Sequence, residues 1–99
     1  MDLQTLQTLL GSPRLTLTQE GTSYRAPDDA NLTIFVSQGS DLVRLPKVTA
    51  LEIGAGTDNQ GLLGLEREDA YAIIALSSVA GIEQTSPEEK RSSKRTGFI

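Results

Sequence analysis

The chain has 99 residues, 37% of them apolar, with 13 acidic and nine basic side chains and a formal net charge of −4. That length allows one modest hydrophobic core and not two. Cysteine and histidine are both absent, which excludes disulfides, thiolate or imidazole zinc sites, cysteine nucleophiles and histidine-based triads.

At the N-terminus, Leu3, Leu6, Leu9 and Leu10 recur at helical spacing. They predict a short amphipathic helix over 2–10, capped by Asp2 and stopped by Gly11-Ser12-Pro13. So short a helix is marginal alone, and its leucine stripe must dock on its own domain, on a second copy or on a partner. MDLQTLQTLL has neither a basic leader nor a long apolar core and does not read as a signal peptide. The chain also lacks a run long enough to cross a membrane as a helix, and a cytoplasmic setting is expected.

From Arg14 the period changes to two. RLTLTQ alternates Leu15 and Leu17 with threonines, predicting a half-buried strand. Glu20-Gly21-Thr22 is a turn, Ser23 to Ala26 a second strand, and Pro27 to Asn31 a stretch of turn chemistry. LTIFVS then places Leu32, Ile34 and Val36 on one face, and Gln38-Gly39-Ser40-Asp41 turns the chain again. Within Leu42 to Ile53, Pro46 cannot donate to a ladder, so one uninterrupted central strand is not expected. Either LVRL is a short strand with Val48 to Ile53 a separate one across a bend, or a helix begins at Pro46; strand is the preferred reading. Residues 54–61 form a flexible loop, Leu62 to Glu66 a strand, and Arg67-Glu68-Asp69 a turn.

Tyr71 to Glu83, YAIIALSSVAGIE, is the most apolar stretch. Ser77 and Ser78 break it, because their hydroxyls compete with the ladder for backbone partners. It therefore reads as two short strands joined by one tight turn. A strand, a break such as LSSV and a closing strand ending in an isoleucine resemble the last part of small SH3-like and Sm-like β-barrels. The resemblance, carried in detail by Tyr71-Ala72-Ile73-Ile74 and Leu76-Ser77-Ser78-Val79, implies a mainly β fold. This would be a small SH3-like or Sm-like barrel or rolled sheet of about six short strands after a short N-terminal helix. Its implications stop at the fold. Sm-like RNA binders present basic and aromatic loop residues, whereas the loops here carry Asp28, Asp29, Asp41, Asp58, Glu68 and Asp69. SH3 grooves are lined with several aromatics, and this chain has only Tyr24, Phe35, Tyr71 and Phe98.

The domain organisation expected is a helix over 1–12, a β domain over 13–83, and a disordered basic tail over 84–99. Residues 1–83 hold five basic against eleven acidic side chains, a net of −6, whereas residues 84–99 hold four against two, a net of +2. The body should repel a phosphate backbone, and only Lys90, Arg91, Lys94 and Arg95 could touch one.

No constellation of catalytic residues stands out. Gly54-Ala55-Gly56 with Gly61 could cradle a phosphate through backbone amides, but no Lys-Ser or Lys-Thr follows, and a hairpin loop is favoured. Asp58-Asn59-Gln60 is a fragment of a calcium loop. Glu66, Glu68 and Asp69 read as a solvated turn rather than a carboxylate pair. Ser77 and Ser78 lack a base. No enzyme, cofactor or metal site is expected. The expected role is a non-catalytic interaction or scaffold module that binds another protein or itself, as a homo-oligomer. Its candidate interface residues are Leu6, Leu9, Leu42, Val43, Leu45, Phe98 and Ile99. The alternatives are a nucleic-acid-associated Sm-like protein using the basic tail, and a barrel that senses a small ligand such as a nucleotide.

Overall fold

A computed structural model describes residues 1–85 as one short helix and seven strands. The helix α1 (Leu3–Leu10) is followed by β1 (Thr18–Glu20), β2 (Ser23–Arg25), β3 (Asn31–Gln38), β4 (Asp41–Ile53), β5 (Leu62–Arg67) and β6 (Tyr71–Ala75). A 3₁₀ turn over Leu76–Ser78 then leads into β7 (Val79–Thr85). The expected tail, with Lys90, Arg91, Lys94, Arg95, Phe98 and Ile99, lies outside the described residues from Ser86 onward. Among the described residues no helix is long and apolar enough to cross a membrane.

All the strands belong to one antiparallel sheet that curls into a half-barrel. The expected mainly β roll with a short N-terminal helix is therefore present, with seven strands. Along it the order is β1-β2-β4-β3-β7, and β5 joins β4 to β6. The long strand β4 holds the two halves together. Its first part, Asp41 to Val48, pairs with β3, while Ala50 to Glu52 lie between β2 and β5.

The sequence led us to expect that Pro46 would break this segment, and β4 instead runs through it. The ladder absorbs the proline by a bulge. Leu32 pairs with Val48 and Ile34 with Leu45, which leaves one extra residue on β4. Lys47 takes the left-handed conformation with φ 60°, and the guanidinium of Arg67 donates to the Pro46 carbonyl at 3.1 Å. A bulge bends the strand that carries it and increases its twist. This bend lets one strand serve both halves of the roll.

The inward face of the sheet follows the alternation in the sequence. Leu32, Ile34 and Val36 of β3, Leu51 and Ile53 of β4, and Leu63 and Leu65 of β5 are buried together. Helix α1 docks on this same core through Leu6 and Leu10, with Leu6 fully buried. Asp2 caps it by accepting from the Thr5 amide at 2.7 Å, and the Gly11 amide closes its end on the Gln7 carbonyl. Burying one leucine stabilises by about 1.5–3 kcal/mol. The leucine stripe is thus satisfied mainly within its own domain.

Two boundaries differ from expectation. Arg14 to Leu17 is not a strand, and β1 starts only at Thr18. Leu15 and Leu17 are half-buried in an irregular segment that β7 holds from the side. There the Thr16 amide donates to Gln84 Oε1 at 2.9 Å, and Gln84 Nε2 donates to Thr16 Oγ1 at 2.7 Å. At the other end β7 continues past Glu83 to Thr85, because Gln84 and Thr85 pair with Leu32 and Asn31.

Candidate functional site

Opposite the core, the outward residues of β1, β2, β4, β5 and β6 form one surface. Register aligns them: Thr18 faces Arg25, Arg25 faces Ala50, Ala50 faces Glu66, and Glu66 faces Tyr71. One step along, Glu20, Ser23, Glu52 and Gly64 form the next row, with Ile73 beyond Gly64. Between these rows lies an open groove of about 530 Å³. Ala50 and Gly64 on its floor are small and leave this space unfilled.

Tyr71 dominates one side. Its ring lies over Gly64, where a Cβ would collide with the phenol oxygen and stand 2.9 Å from the ring Cζ. Glycine here is a matter of space: it permits close approach of the ring to the backbone of β5. Partial burial, and then the negative charges of Glu52 and Glu66, push the phenol above its ordinary value. Both effects disfavour the phenolate. The group therefore remains a neutral hydrogen-bond donor with a flat aromatic face.

The rest of the groove is acidic. Glu20, Glu52 and Glu66 line it against a single cation, Arg25, whose Nη2 sits 2.9 Å from Glu66 Oε2. Both partners are well exposed, so this pair fixes geometry more than it stabilises. Among the described residues Glu20 and Glu52 make no ion pair. A neutral aromatic face beside carboxylates suits a cationic group: charges attract it, and the ring quadrupole adds to the attraction.

The sequence candidates fall elsewhere. Leu6 is in the core, and Leu9 is half-buried on α1. Leu42 is 60% exposed, while Val43 and Leu45 are half-buried beside it on β4. The Arg44 guanidinium carbon stands 5.6 Å from the centroid of Phe35. The glycine loop is bonded to itself. The amides of Gly54, Thr57, Asn59 and Gly61 donate to Leu62 O, Gly54 O, Thr57 Oγ1 and Asn59 Oδ1. Those amides are thus engaged within the loop rather than aimed at an anion. Among the described residues no group of three or more histidine, cysteine, aspartate or glutamate side chains is placed to hold a metal ion.

Tyr71, Gly64, Glu52, Arg25 and Glu20 were not among the sequence candidates. Tyr71 and Ile73 share a face in the alternation, but β6 is apolar on both faces, so the pattern does not say which one is wet. In the structure they are 54% and 57% exposed. Comparison with protein-family models, with curated proteins and with solved structures finds no match for this chain.

Proposed function

We propose that this domain is a non-catalytic, cytoplasmic interaction module that self-associates by adding a strand of a second copy to the outer edge of β6. One observation carries the reading. Among the described residues β6 is hydrogen-bonded only to β5, and its outward face exposes Tyr71 and Ile73 beside that free edge. Sheet edges are normally blunted by charge, by proline or by a covering element. YAIIA has no charge and no proline, and such edges take up added strands through main-chain hydrogen bonds and side-chain pockets.

Sedimentation and size-exclusion chromatography of the full chain test this. The wild type is expected to run larger than a monomer, and Ile73→Lys to run as a folded monomer with unchanged circular dichroism. A monomeric wild type, or an Ile73→Lys variant that stays associated, overturns the reading. Leu42→Asp separates the exposed stretch of β4: it leaves association intact if β6 is the contact.

A further inference from the structure

We propose that the groove between Glu20, Glu52 and Tyr71 is the docking site for the chain's own basic segment, Lys90 to Arg95, bound within the same molecule. The inference goes beyond self-association and stands whether or not β6 takes up a second strand.

Charge complementarity is the first support. Residues 1–83 carry a net −6 and residues 84–99 a net +2, with the four cations of the latter within Lys90 to Arg95. The groove gathers three of the body's carboxylates around one guanidinium, and that guanidinium is already paired with Glu66. Tyr71 supplies an exposed ring for a lysine or arginine to lie against.

The second support is where the described chain ends. β7 runs parallel to β1 and is described as far as Thr85, and Gln84 bonds to Thr16 just before Thr18, on the groove's rim. The described chain therefore ends beside the groove. From β1 to β6 the groove crosses four strand spacings, about 19 Å. Five extended residues, from Thr85 to Lys90, reach about 16–18 Å. Lys90 and Arg91 can thus stand over Glu52, and Lys94 and Arg95 can reach Tyr71 with slack. A short tether also sets an effective concentration on the order of millimolar, which favours the same molecule over a second copy in dilute solution.

The test is nuclear magnetic resonance of the full 99-residue chain, comparing wild type with the quadruple variant Lys90→Gln/Arg91→Gln/Lys94→Gln/Arg95→Gln. Amide shift differences are expected at Glu20, Glu52 and Gly64, unchanged across a dilution series. They should shrink as salt approaches 1 M, where screening acts over about 3 Å. The salt titration of the wild type alone gives the same reading without any variant. The Tyr71 phenol is expected to titrate lower in the wild type than in the quadruple variant, because nearby cations favour the phenolate. Absence of shifts at Glu20 and Glu52, or an identical Tyr71 titration, overturns the proposal. Shifts at Glu20 and Glu52 that grow with concentration also overturn it, since the occupant is then another copy's segment. Self-association at β6 would instead show as concentration dependence confined to Tyr71 through Ala75.

Discussion

The ring of Tyr71 lies across the bare backbone of Gly64, which sits diagonally from it in the β5–β6 ladder, two residues before its partner Glu66, occupying the space a Cβ would fill. This contact ties an edge strand to the outward face of the sheet, so that one aromatic serves both the β6 edge and the acidic groove. Its neighbours Glu52 and Glu66 lie on different strands, and the register of β4, β5 and β6 brings them to it.

Gly64→Ala is expected to push the Tyr71 ring off the sheet. The two closest atoms belong to the far end of the exposed Tyr71 side chain, but Ala55 Cβ, 3.2 Å from the new methyl, must also give slightly. A loss of global stability of about 1 kcal/mol is therefore expected. The ring then loses its partial burial and moves from the carboxylates, and its phenol should titrate closer to its ordinary value. Ultraviolet titration against a Tyr71→Phe control reads this directly. An unchanged titration would show that the ring does not depend on the glycine.

Leu6 and Leu9 should separate sharply. Leu6 is fully buried in the core, and Leu6→Ala is expected to cost about 2–5 kcal/mol. Leu9 is only half-buried, and its alanine variant should cost about 1 kcal/mol or less. Urea denaturation of both variants measures the difference, and equal costs would mean that α1 is docked in another orientation.

The bulge at Lys47 makes its own demand. A side chain at φ 60° costs roughly 1–2 kcal/mol relative to the right-handed region, and β-branched residues suffer most. Lys47→Gly should therefore leave stability equal or higher, while Lys47→Val should lower it by about 1–2 kcal/mol relative to glycine. Thermal unfolding of the pair decides it, and a valine variant as stable as the glycine one contradicts the left-handed bulge.

Asp2 gives the helix a pH dependence. Hydrogen bonds from the Thr5 side chain and then the Thr5 amide hold its carboxyl below the ordinary value of 3.8. A carboxyl lowered in the folded state favours folding when ionised. That contribution is fully present above about 3.8 and fades as pH falls through the lower folded value. Asp2→Asn keeps a capping side chain without titrating. Denaturant midpoints followed into acid should fall less steeply for Asp2→Asn than for wild type, and parallel curves would remove Asp2 from the acid response.

Much of the fold can be read along the chain, because its signals are local. The α1 stripe with Asp2 before it and Gly11 after it, the alternation of Leu32, Ile34 and Val36, and the turns at Gly21 and Gly39 each lie within a few residues. The serines after Leu76 mark the 3₁₀ turn in the same way. Pro46 was legible as a disturbance but not as a bulge, since the extra residue exists only relative to the register of β3. Arg14 to Leu17 alternates like a strand yet finds no ladder: Gln84, which arrives from the far end of the described chain, takes the Thr16 amide. The groove is least visible in sequence. Arg25 and Glu66 are 41 positions apart, and no periodicity links Glu20, Glu52 and Tyr71. Composition determined that the body is acidic and the residues after it basic. Only the pairing register, which sets β2 on one side of Ala50 to Glu52 and β5 on the other with β6 beyond, decided that the carboxylates and the one exposed tyrosine would share a face.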